Sequence, residues 1–152
     1  MVRRSSLGFA FTTTIILVSA AQAQTTWYVD DDNCPGPGSG TEADPFCLIQ
    51  DCIDAAMDGD ECVVAPGTYF ENINFLGKAI TLSSSGGADV TTIDGTGLNS
   101  SVGTCDSGEG PDTVLSGFVV TGAFFPQPFF GGGMRNINSS PTVTNCTFSG
   151  FR

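Results

Sequence analysis

The sequence predicts an all-β fold of stacked coils, a solenoid, entered through one short helix. Three observations carry that reading. From Glu61 onward the chain is a series of short β-branched and aromatic strings, punctuated by Gly, Asn, Asp and Ser. Two of these strings superimpose on each other at an offset of 28 residues. One segment ahead of them carries a helical period instead.

The 152-residue chain opens MVRRSSLGFAFTTTIILVSAAQAQ. Arg3 and Arg4 form a positive head, Phe9 to Val18 an apolar stretch, and Ala21-Gln22-Ala23 a small-residue cleavage pattern. Residues 1–23 therefore read as a secretory signal peptide. The apolar run is shorter than the about 20 residues needed to span a bilayer. The expected mature domain is residues 24–152, secreted or held at the cell surface, with no transmembrane span.

Export would remove Arg3 and Arg4, leaving Lys78, Arg135 and Arg152 against 16 acidic residues, a formal charge of −13. A nucleic-acid partner needs a basic face, and none can be assembled from three bases. Such acidity fits solubility or attraction for divalent cations. The chain contains no histidine, which excludes Ser-His-Asp and Cys-His catalysis and ordinary catalytic zinc sites.

The first elements sit in WYVDDDNCPGPGSGTE. Trp27-Tyr28-Val29 reads as a strand and the acidic run after it as a turn. Counted from Asp31, Asn33 takes position 3 and Glu42 position 12 of a calcium loop, so Asp31, Asn33 and Glu42 are candidate calcium ligands. Pro35 at position 5 supplies no side-chain ligand, and helical flanks are missing. A solvated acidic turn is the competing reading.

DPFCLIQDCIDAAMDGD follows. Ile49, Cys52, Ile53 and Ala56 recur at i, i+3, i+4 and i+7, one face of a helix. Asp44 is the expected N-cap, Pro45 falls in the first turn and Gly59 stops the helix, which is placed at Pro45 to Met57. ECVVAPGTY, KAITLSSSGG, VTTIDGTG, DTVLSGFVVTG and PTVTNCTFSG then read as strands between turns. Asp94 and Asp112 are expected turn residues.

In the 28-residue superposition Leu115 meets Val143, Ser116 meets Thr144 and Val120 meets Phe148. A period of this size marks a solenoid, whose coils bury their apolar faces only by stacking. An antiparallel β-sandwich predicts similar short strands and turns. Gly131 to Gly133 read as a bend between coils, where side chains have no room. A phosphate-binding loop would continue with Lys, Ser or Thr and a helix, and Met134 follows instead.

Six cysteines in an exported chain argue for disulfides, and six allow 15 pairings. Proximity in sequence favours Cys34–Cys47 and Cys52–Cys62, which leaves Cys105–Cys146. With no Cys-x-x-Cys and no histidine, a metal site on these thiols is the weaker reading.

The succession VVAPGTYFENI, KAITLSSSG, TTIDGTG, LSGFVVTGA, and GGGM with PTVTNCTFSG resembles secreted bacterial right-handed parallel β-helix proteins of the pectate-lyase-like group. The resemblance runs from about Trp27 to the end. It implies that the helix caps the open end of the coils. GGG with FSG is also similar to repeats of polymorphic outer-membrane proteins, which place Asn three residues after the Phe; here Phe151 stands there after Phe148.

Three functions follow from the resemblance. The first is an exported scaffold engaging polysaccharide or another cell-envelope component, with no catalytic residue identified. The second is a calcium-dependent polysaccharide lyase, in which calcium acidifies the proton beside a uronate carboxylate and a base removes it. Arg135 is the base to test. The third is a surface adhesin or outer-membrane passenger. A polygalacturonase-like hydrolase is excluded by the missing histidine. The chain stops directly after a strand-turn unit, so further coils are expected beyond Arg152.

Overall fold

The computed structural model describes residues 23–123 and 132–151. Residues 1–23, the expected signal peptide, fall outside the described residues except for Ala23, as do Gly131 and Arg152. The strands, in chain order, are β1 (Thr26–Val29), β2 (Glu61–Val64), β3 (Gly67–Tyr69), β4 (Ile73–Asn74), β5 (Thr81–Ser84) and β6 (Thr91–Asp94). They continue as β7 (Gly103–Cys105), β8 (Val114–Ser116), β9 (Val119–Thr121), β10 (Met134–Asn136), β11 (Thr142–Thr144) and β12 (Thr147–Phe148). One α-helix, α1 (Ile49–Ala55), lies between β1 and β2.

The strands form three sheets, ordered β1-β2-β5-β8-β11, β3-β6-β9-β12 and β4-β7-β10. Each round of the chain visits the three sheets in turn, and every ladder between these strands is parallel. An antiparallel sandwich cannot give this pattern. The arrangement is consistent with a parallel β-helix-like solenoid. The two strings superimposed in sequence do pair: Leu115 with Val143, Ser116 with Thr144 and Val120 with Phe148.

Side chains alternate across each strand, so one register position makes an inward column through the stack. Trp27, Cys62, Leu82, Leu115 and Val143 form one column, and Tyr69, Ile93, Val120 and Phe148 another. Leu115 and Val120 are 2% and 1% exposed, whereas Val143 and Phe148 one coil further are 37% and 40% exposed. Burial comes from the coil stacked above, and among the described residues none covers β11 and β12.

Helix α1 is shorter than its period implies. Pro45 to Cys47 lie outside it, because Phe46 forms a parallel bridge to β1 through Asp30 N–H to Phe46 O (2.9 Å) and Phe46 N–H to Tyr28 O (2.8 Å). Asp44 is therefore not the N-cap; Leu48 holds that place and supplies no side-chain bond. Ile49, Cys52 and Ile53 face the core, packed on β1, β2 and β4.

Both ends of α1 are closed by the first coil. Glu71 accepts from Ile49 N–H (2.8 Å) and Gln50 N–H (2.9 Å), and Lys78 Nζ donates to Ile53 O (2.7 Å) and Asp54 O (2.9 Å). Anion at the N-terminus and cation at the C-terminus match the helix dipole. Two more buried carboxylates act as clips. Asp60 accepts from Thr25 N–H, Trp27 Nε1 and Met57 N–H. Glu109 accepts from Gly77 N–H (2.8 Å), Ser107 N–H (2.9 Å) and Ser139 Oγ (2.7 Å), joining three successive rounds of chain.

Burial raises the Glu71 carboxyl above its ordinary value, and its two backbone bonds only partly offset this. Burial also opposes ionisation of Glu109 and Asp60, but there the hydrogen bonds win and both lie below the ordinary value. The signs differ accordingly. Asp60 and Glu109 add stability above the unfolded carboxylate value and lose it as pH falls through their folded values. Glu71 contributes stability on the acid side, lost as pH rises through its raised value. In urea titrations, Glu71→Gln should gain on the wild type as pH rises through the ordinary glutamate range of about 4.3. Glu109→Ala strands three donors and should cost about 2–3 kcal/mol near neutral pH.

Candidate functional site

A concave feature among the described residues combines polar and apolar groups. It is a half-open groove of about 280 Å³ beside the start of the first sheet, lined by Tyr28, Val29, Asp30, Glu42, Pro45, Val63, Ala65 and Ser85. Alternation along β1 explains half of it. Trp27 and Val29 turn inward, so Tyr28 and Asp30 turn outward. On β2, Cys62 and Val64 are buried and Val63 lies beside Tyr28 in register.

The other wall is the arm from Asp30 to Cys47, and it is held at many points. Asp31 and Asn33 bound a short 3-10 turn. The Cys34–Cys47 disulfide closes the arm. Asn33 Nδ2 donates to Pro45 O (2.6 Å), Tyr28 N–H to Gly40 O (3.0 Å) and Ser39 N–H to Asp44 O (3.0 Å). Phe46 stacks on Trp27 with ring centroids 5.8 Å apart. Gly40 has φ +77°, and a Cβ there would strike the Phe46 and Trp27 rings, so this turn needs glycine for both conformation and space. The result is a rigid wall carrying Glu42 opposite a sheet carrying Tyr28 and Asp30.

Each of the three calcium candidates has its own surroundings. Asp31 Oδ2 accepts from Thr68 N–H on β3 (3.0 Å), Asn33 spends its amide on Pro45, and Glu42 lines the groove with Asp30. Among the described residues no group of three or more Asp, Glu, Cys or His side chains converges as a metal site would require. Arg135, on β10, pairs with Asp106 at 3.0 Å on the surface. Trp27 is a packing residue, stacked on Phe46 and bonded to Asp60, while its neighbour Tyr28 reaches the groove.

Gly132 and Gly133 belong to the scaffold. Their carbonyls accept from Val102 N–H (3.0 Å) and Gly103 N–H (2.9 Å) of the coil below. A Cβ on Gly133 would lie within 2.5 Å of the Phe148 ring and 2.7 Å of Phe151. Close approach of two aromatic rings, with no positive φ, is what demands glycine there.

Two disulfides form as expected, Cys34–Cys47 and Cys52–Cys62. The third does not: Cys105 and Cys146 are free thiols. Cys105 ends β7 and is buried inside the third sheet, whereas Cys146 sits between β11 and β12, with Sγ against Leu115 O and Thr144 O. The two belong to different corners of different coils. Burial, together with Glu109 and Asp106, pushes the Cys105 thiol up to about 12.

Comparison with protein-family models, with curated proteins and with solved structures finds no match. The groove was only partly legible in sequence. In sequence Glu42 stands out by its calcium-loop spacing and Asp30 as part of the acidic run, while Trp27 and Tyr28 form an aromatic pair able to stack on sugar rings but read first as packing; Val63 and Ser85 carry no such signal. Alternation along WYVD is what separates outward Tyr28 from inward Trp27.

Protein denatured without reductant should release two thiols to a thiol reagent, and the native protein should protect Cys105. A count of zero would restore the Cys105–Cys146 bond. Replacing Cys34 and Cys47 together by Ser should cost about 3 kcal/mol by the loop-entropy relation.

Proposed function

We propose that this chain is an exported right-handed parallel β-helix, directed outward by residues 1–23, and that it works as a carbohydrate-engaging scaffold. On this reading α1 with the Asp30–Cys47 arm caps the first coil. The single observation that carries the functional part is the disulfide-braced groove, where a phenol, a hydroxyl and two carboxylates surround an apolar floor. Sugar sites combine these features: aromatic or apolar surface for the ring faces and fixed acceptors for hydroxyl groups. The two disulfides and the acidic charge support an extracellular setting.

The resemblance to the pectate-lyase-like group is consistent with polysaccharide as the partner, since that fold hosts binding and chemistry alike. A lyase reading needs a base beside clustered carboxylates. Lys78 is committed to the end of α1, and Arg135 to a surface pair with Asp106.

The test is an ultraviolet assay for unsaturated sugar products from pectate and alginate, with and without calcium, alongside a binding assay on insoluble polysaccharides. The expected result is binding without product. Calcium-dependent product that disappears in Arg135→Ala would make the protein a lyase and overturn the scaffold reading.

A further inference from the structure

The chemistry of the groove narrows its ligand. Two carboxyl groups, those of Asp30 and Glu42, stand among its lining residues, and no Lys or Arg does. Asp30 already accepts from Asp32 N–H (3.0 Å) through Oδ1, which fixes the orientation of its carboxylate. Tyr28 and Ser85 contribute hydroxyl groups, and Val63, Ala65 and Pro45 an apolar floor. At about 280 Å³ the groove falls just below the about 300–1,000 Å³ of most ligand pockets, and is matched to one ring rather than a long chain.

The walls are also fixed before any ligand arrives. One wall is a strand in the parallel stack. The other is tied by the Cys34–Cys47 bond, the Asn33–Pro45 hydrogen bond and the Phe46 backbone bonds to β1. A preorganised site loses less entropy on binding. The formal charge, −11 for the full sequence and −13 without residues 1–23, reinforces the local sign.

Resting on the carbohydrate reading, we infer that the groove between Tyr28 and Glu42 takes one sugar ring that presents hydroxyl or ammonium donors and carries no carboxylate. A neutral or amino sugar would place its apolar face on Tyr28, Val63 and Pro45. Its donors would meet Asp30 and Glu42. A uronate ring brings a third carboxylate against Asp30 and Glu42, with no Lys or Arg in the lining to pair it, and is rejected.

The experiment is titration calorimetry on the protein recovered from an oxidising secretory host, with three probes: a tetramer of glucosamine, a tetramer of xylose and a tetramer of galacturonate. Glucosamine and xylose oligomers should bind, glucosamine more tightly at low salt, and galacturonate should be weaker by about tenfold or more. Glu42→Gln, an exposed substitution, should weaken the glucosamine oligomer about tenfold and the xylose oligomer less. Tyr28→Ala, checked for folding by circular dichroism, should weaken both. Thr92→Ala, on the outer face of the second sheet, should change neither. Galacturonate binding as tightly as glucosamine, or binding unchanged in both groove variants, would overturn this assignment and leave the carbohydrate reading standing with its site elsewhere. No binding by any of the three oligomers, and none to insoluble polysaccharides, would remove the carbohydrate reading itself.

Discussion

Among the described residues no coil lies beneath the first one, so the open edges of its strands need other partners. Much of the N-terminal architecture follows from that constraint. Unpaired strand edges cost free energy when buried and invite association when exposed. This chain closes each first-coil edge by a different device. β1 covers β2 as an added strand. Asp31 Oδ2 accepts from Thr68 N–H on β3. Gln50, on α1, accepts from Asn74 N–H (2.8 Å) and donates to Asn74 O (3.2 Å), standing in for a neighbour of β4. Phe46 in turn pairs with the outer edge of β1.

Those devices place the groove. The arm must return to β1 so that Phe46 can pair there, and the Cys34–Cys47 bond holds it in that path. A wall beside the outer face of the first sheet is the consequence. The residues on that wall and on β1 then have little freedom. Tyr28 and Asp30 face out because Trp27 and Val29 pack inward. The groove is thus a by-product of sealing the stack, made from residues left on the outer side.

Buried carboxylates do the work that further apolar contacts do elsewhere. Asp60, Glu71 and Glu109 have no basic partner among their hydrogen bonds; each is satisfied by backbone N–H groups or neutral side-chain donors. In a chain so short of Lys and Arg, neutral donors are the available way to hold a buried anion. The balance differs from site to site. Glu109 receives enough hydrogen bonds to remain easily ionised, whereas the two at Glu71 do not cancel its burial. The cost at Glu71 is tolerated because α1 has no N-cap side chain of its own.

The sequence by itself determined the period and the alternation. The 28-residue offset predicted pairing of Leu115 with Val143 and Val120 with Phe148, because stacked coils must repeat their inward residues. The Ile49, Cys52 and Ile53 face predicted the buried side of α1, and proximity predicted two disulfides. Only the tertiary structure decided what depends on residues distant in sequence. Helix α1 starts at Ile49 and not at Pro45 because β1 captures Phe46. Cys105 and Cys146 stay apart because coil geometry sends them to different corners. Asp31 and Glu42 share a loop-like spacing yet serve different neighbours, Thr68 and the groove. Local pattern fixes which way a side chain faces, whereas the partner it meets is set by which coil the chain lays beside it.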